Sequence, residues 1–250
     1  MRRRLSGWLS ADDRAVSELI GYVLAFSVVV ASIGVVYTAG LDSARQYQQH
    51  EIEQNAERAF VALAESLNDI QRGDAPARNG EVRLAGGTLW IDEGPRLTVT
   101  VADAGGGTVV YDDRVGAIAY SVGDTTVLYA AGAVIREQRR GGATVPARPR
   151  FRCTDRQAVV SFVTVTAGSA SGRSSQGSVL IQADGRGTDL LYPFAGETAS
   201  ADSVSVTVGA NADAWGRTLT ERGWTRSGDS FTCTTDRVVV RRTTIVVDFL

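Results

Sequence analysis

"RAVSELIGYVLAFSVVVASIGVVYTAGLD", residues 14–42, carries no charge between Leu19 and Leu41. A helix crossing a hydrocarbon layer about 30 Å thick needs roughly 20 apolar residues, whereas the apolar core of a secretory signal runs to only about 7–15. This run of about 23 residues is long enough to span with some tilt and too long for a typical cleaved secretory core. Arg2, Arg3, Arg4 and Arg14 precede it, and positive residues beside a first span stay on the cytoplasmic side. The expected partner is therefore the cell membrane, with the N-terminus cytoplasmic and everything after Asp42 at the cell surface.

The helical pattern continues beyond the span. Ile52, Ala56, Ala59, Phe60, Leu63, Leu67 and Ile70 recur at spacings of three and four, which marks one face of a helix. Gly73 and Pro76 supply the stop signal. Val16 to about Gln71 reads as one helix of roughly 56 residues, about 84 Å at 1.5 Å per residue. Its first half is apolar all round and its second half is amphipathic.

That stripe needs a cover, and the rest of the chain offers strands. From Glu81 onward, short runs rich in β-branched residues alternate with turn residues, as in "RLTVTVAD", "AVVSFVTVTAG" and "DRVVVRRTTIVVDFL", the signature of an antiparallel sheet domain. Ala104 to Thr108 reads as a hairpin turn, Thr166 to Ser178 as a flexible loop and Arg139 to Arg150 as a seam within the β region. Asn211 to Trp224 reads as a short helix opened by an Asn or Asp cap and packed on the sheet. The expected fold class is α+β, with a long N-terminal hydrophobic-then-amphipathic helix packed on a C-terminal antiparallel β-rich domain. Its divisions are a leader (1–15), a transmembrane and polymerisation helix (16–41), an amphipathic continuation (42–72) and an extracellular β-rich domain (80–250) with its helix near 211–222.

Composition limits the chemistry. The net charge of -2 and the scattered basic residues make no case for nucleic acid. All 26 basic residues are Arg, so a P-loop lysine, a Schiff base and a Ser-Lys pair are excluded. The single histidine, His50, rules out any scheme needing two within one chain. Asp112, Asp113 and Glu137 have no partner constellation beyond turn and strand-end roles. No catalytic residue, cofactor or metal ligand is expected, and an enzyme is the least favoured class. Trp90, Trp215 and Trp224 read as core or sheet-packing residues.

Cys153 and Cys233 occupy similar settings, "FRCTDRQAVV" and "FTCTTDRVVV". Each has an aromatic two residues ahead and an Asp-Arg pair before a β-branched run, as in two strands of similar design. A disulfide between them is the favoured reading in an oxidising compartment. The alternative is two small buried thiols.

Taken together, the short charged leader, "RAVSELIG" and the downstream "NAERAFVALAESLNDI" resemble archaeal type IV pilins and pilin-like surface proteins, particularly those of haloarchaea. The match covers about residues 12–70. Arg14 and Ala15 stand as the end of the leader, Val16 as the first mature residue, and Ser17, Ile20 and Gly21 fall in the family's places. Glu18-Leu19 departs from the commoner Pro-Val. The resemblance implies cleavage by a prepilin peptidase between Ala15 and Val16, which removes the leader and keeps the helix. The retained helices of such families pack side by side with like or related pilin subunits. Gly21, Ala25, Ala31 and Gly34 would let neighbours approach closely. Glu18 either meets a neighbour's new terminal amine or lies at the membrane interface. The size of the domain suits a minor subunit serving adhesion or an envelope function. The alternative is an uncleaved single-pass protein that displays its β domain as a receptor, adhesin or envelope component.

Overall fold

A computed structural model describes residues 12–103, 106–169 and 172–250. Most of the expected leader, the tip of the 104–108 hairpin and part of the 166–178 loop lie outside the described residues. The chain divides into two compact units, Met1–Glu51 and Ile52–Leu250. Helix α1 (Asp12–Arg72) contributes to both.

The first unit holds one segment, Glu18–Tyr37, long and apolar enough to cross a membrane. Ser27 and Ser32 donate their hydroxyls to the carbonyls of Val23 and Val28, both at 2.7 Å. These bonds satisfy the polar atoms inside the helix and keep its surface compatible with lipid.

The second unit is built on three sheets, with strands numbered along the chain. One sheet has the order β1 (Ala77–Arg83), β12 (Ser178–Tyr192), β16 (Val238–Phe249), β10 (Ala158–Ala167), β9 (Arg150–Arg152). A second has β11 (Gly172–Ser174), β2 (Thr88–Asp92), β5 (Ala117–Val122), β6 (Thr125–Ala130), β7 (Ala133–Gln138), β8 (Ala143–Ala147). The third runs β14 (Thr225–Ser227), β15 (Ser230–Thr234), β13 (Ser203–Val208), β3 (Arg96–Asp103), β4 (Gly106–Arg114). The architecture is α+β and the pairing is antiparallel, with β10 and β16 forming a parallel pair.

That parallel pair explains the two similar cysteine stretches. Ala158 lies beside Val238, Val159 beside Val239 and Val160 beside Val240, an offset of 80 that is also the sequence separation of the cysteines. Val160 and Val240 enter one core, while Val163, Val165, Ile245 and Val247 enter another. Each strand serves one core with even-numbered residues and the other with odd-numbered ones, so apolar β-branched residues are needed at both parities, and the two are rich in valine. The cysteines form a disulfide with Cα atoms 5.7 Å apart.

The two cores divide the work. In one, the face Ala56, Phe60, Leu63, Ala64, Leu67 and Ile70 of α1 packs with Leu89 and Tyr120 of the second sheet and with Ile181 and Ile245 of the first. Burial of each large side chain is worth about 1.5–3 kcal/mol. In the other, Val99, Val204 and Val206 of the third sheet meet Phe151, Phe162, Trp215 and Trp224. The Phe151 ring lies 6.0 Å from Trp215 and 6.3 Å from Trp224, so these two tryptophans pack in the core, whereas Trp90 is half-buried.

Three local expectations are corrected. The supposed seam at Arg139–Arg150 contains β8, paired with β7 through Val134 and Ala147. The supposed loop at Thr166–Ser178 contains β11, paired with β2. Helix α2 (Ala212–Thr220) starts at Asn211 as expected, but without a side-chain cap: Asn211 sits at φ 57°, its carbonyl accepts from the N–H groups of Ala214 and Trp215, and its Nδ2 donates to Glu137 on β7. In the first two cases a neighbouring strand pairs with a polar or Gly-rich stretch that looks like loop in isolation.

Two constraints yield predictions. Gly116 sits at φ 67°, and a Cβ there would collide with the Val165 carbonyl. Gly116→Ala is expected to lose about 2–4 kcal/mol, from left-handed strain plus overpacking, in chemical denaturation. The disulfide closes a loop across a sequence separation of 80, for which chain entropy gives at most about 4–5 kcal/mol. Replacing both cysteines by alanine is expected to cost about 2–4 kcal/mol, measured against the oxidised parent.

Candidate functional site

The residues singled out for assembly all lie in the first unit. Glu18, Gly21, Ala25, Ala31 and Gly34 are exposed, and so is every residue of the Glu18–Tyr37 segment. At 100° per residue they do not share one stripe. Glu18, Gly21 and Ala25 fall together, and Ser32 joins them two turns later. Ala31 and Gly34 fall on a second face with Ser27, roughly 140° around the helix from the first. Arg14, Ala15 and Val16 lie in the helical backbone of α1, which begins at Asp12, and their side chains lie outside the described residues.

The acids weighed for catalysis have structural partners. Asp112 pairs with Arg96 at 2.9 Å and accepts from Thr98 Oγ1 at 2.8 Å. The Arg96 guanidinium, then the Thr98 hydroxyl, hold its carboxyl below the usual range. Asp113 accepts the Arg114 backbone N–H at 2.7 Å, and Glu137 receives Asn211. Among the described residues no group of three His, Cys, Asp or Glu side chains is placed to hold a metal. His50 is exposed on α1.

Two features escaped the sequence reading. Arg136 on β7 reaches Glu53 and Glu57 on α1, each at 3.1 Å, with its side chain 18% exposed. The two acids are one helical turn apart, so a single guanidinium fork can take both. An i, i+4 pair of acids on the flank of the apolar stripe was the available signal.

The second feature is a cleft of about 690 Å³ in the second unit. It is lined by Arg72 from the last turn of α1, Arg148, Arg150 and Arg152 around β9, Arg222 after α2 and Arg241 on β16. Basic residues that are scattered along the chain are thus gathered by folding. The alternation Arg148, Arg150, Arg152 in "RPRFR" was legible as one face of a strand; the other three come from distant parts of the chain.

Removing the central charge of the α1–β7 tie strands two carboxylates in a largely dry site. Arg136→Met is expected to cost about 2–4 kcal/mol, and the same change with Glu53→Gln and Glu57→Gln to recover more than half of that loss in urea denaturation.

Known proteins add family membership. One relative is an uncharacterized protein of Archaeoglobus fulgidus, 28% identical over 81 residues. The similar region covers 32% of this chain and 27% of the relative's length. No solved structure matches. Residues 14–248, which include the apolar segment, the disulfide and all three sheets, match the family described as "Family of unknown function (DUF7289)", and the chain belongs to that family.

Proposed function

We propose that this chain is a pilin-like cell-surface subunit, anchored by its N-terminal helix and assembled through it with like or related subunits. The observation that carries the reading is the Glu18–Tyr37 segment, apolar and exposed along its whole length. Such a surface is stable only against lipid or against other apolar helices. Its two small-residue faces would let one helix approach two neighbours at once, as a bundle or filament core requires and a lone anchor does not. The archaeal relative accords with the archaeal character of the resemblance.

In this reading the N-terminus is cytoplasmic, the β domain lies outside and a prepilin peptidase cuts between Ala15 and Val16. Glu18 becomes the third mature residue, within reach of a neighbour's terminal amine. Adhesion or an envelope function then belongs to the β domain as a minor subunit, with no catalytic step and no cofactor.

One observation favours the uncleaved alternative. The Ala15–Val16 bond lies inside α1, which starts at Asp12, so a peptidase must first unwind its opening turn. The first turn of a helix frays readily, which keeps cleavage accessible.

N-terminal peptide mass spectrometry of the protein from its native membrane decides between them, alongside an Ala15→Arg variant. A mature terminus at Val16 that disappears in the variant, with precursor accumulating, is the expected result. An intact leader in both proteins would overturn processing and leave a single-pass anchored domain.

A further inference from the structure

The arginine cleft lies wholly in the second unit and has a charge problem that the fold leaves unsolved. Arg72 is matched by Asp69 and, at 2.5 Å, by Asp74. Arg148 is matched by Glu221 at 2.9 Å. Arg241 donates to the Gln71 carbonyl at 3.3 Å, where the negative end of α1 favours a cation. Arg150 reaches only the neutral Asn68 Oδ1, at 3.2 Å. Among the described residues Arg150, Arg152, Arg222 and Arg241 have no carboxylate partner, and of the three acids that answer Arg72 and Arg148, Asp69 is shared with Arg78 outside the cleft, so six guanidiniums carry at least three positive charges in surplus. Burial, and then the charge of Arg72, hold the Arg150 guanidinium below its usual range, against the opposing pull of Asp74.

The floor is polar and rigid. Gln71, 1% exposed, donates Nε2 to Ser161 Oγ at 3.0 Å. Ser161 is itself 6% exposed and, having accepted this bond, keeps its hydroxyl proton for another acceptor. Phe151 beneath is fully buried, so the strand presenting Arg150 and Arg152 is fixed from behind.

Crowded like charges destabilise a fold unless an anion answers them. Guanidinium forks match paired oxygens better than a spherical halide, and the cleft volume falls within the range for small ligands, about 300–1,000 Å³. We infer that this cleft is a binding site for a small multivalent oxyanion bearing phosphate, sulfate or carboxylate groups, with Arg150, Arg152, Arg222 and Arg241 as the binding cations and Ser161 as a donor at the floor.

The test is titration calorimetry on the full chain in neutral detergent, with pyrophosphate and citrate as probes and sodium chloride at matched ionic strength as the blank. A saturable single-site heat with either probe, absent with chloride, is expected. The double variant R152Q/R222Q removes two exposed arginines that have no carboxylate partner, so it is expected to melt no lower than the parent at low salt. Its affinity for the probe is expected to fall about tenfold or more, since each charge-assisted bond contributes at least that much. R150Q should weaken binding likewise, whereas R96Q, remote from the cleft, should leave it unchanged. Heats indistinguishable from chloride, or affinity unchanged in both R152Q/R222Q and R150Q, would overturn the proposal and leave a solvated, salt-screened surface.

Discussion

Phe60, Leu63 and Leu67 of α1 enter a core that two sheets share, so the helix helps to set one sheet against the other, beside direct ties such as Val165 N–H to the Val115 carbonyl at 2.7 Å. The fit is close enough to dictate the strands opposite. Gly185 on β12 has room for no Cβ, because one would stand 2.7 Å from Ile70 Cγ2. Gly80 on β1 faces Leu63 Cδ1, with only 3.1 Å to an added Cβ. Interiors at near-crystalline density transmit such constraints, and bulges in β12 after Gly185 and Leu190 let a long strand follow the helix end and then its partner β16.

Around this apolar contact the polar ties are few and directional. Arg136 holds the start of the packed stretch through two acids, and Gln71 with Ser161 holds its end. Hydrophobic burial is nonspecific in register, whereas a two-acid fork and a buried amide accept only one alignment. The helix is thereby fixed both along its axis and around it. Its last turn is delivered to the arginine cleft in a single orientation, which makes the cleft a consequence of the docking.

The sequence carried the broad architecture because each large element has a local signature. The charge-free run, the spacing from Ile52 to Ile70 and the alternating strands each follow from a period that a window of residues displays. Even the disulfide was legible, since Cys153 and Cys233 sit at matching positions in similar stretches; the structure adds that those stretches lead into parallel neighbours at an offset of 80. What stayed hidden depends on pairs far apart in the chain. Arg72, Arg150, Arg222 and Arg241 converge only after three sheets are assembled. Asn211 stands at the start of α2 as the sequence suggested, but its side chain bonds Glu137 on β7 and not the helix. The two small faces of the span were visible as composition, but their separation needs the helix to be drawn.

The position of β16 has a consequence for the order of events in synthesis. Residues 238–249 form the central strand of their sheet, flanked by β12 and β10, and Leu250 exchanges two backbone hydrogen bonds with Leu180. Until this segment emerges from the ribosome, β10 and β12 have no shared neighbour, and the cores lack Val238 and Val240 on one side and Ile245 and Val247 on the other. Nascent chains gain structure from the N-terminal side at about 5–20 residues per second, so this sheet closes only once β16, the last of its five strands along the chain, has been made. Before then β1 with β12 and β10 with β9 are two separate ribbons, which the strand between them joins into one sheet.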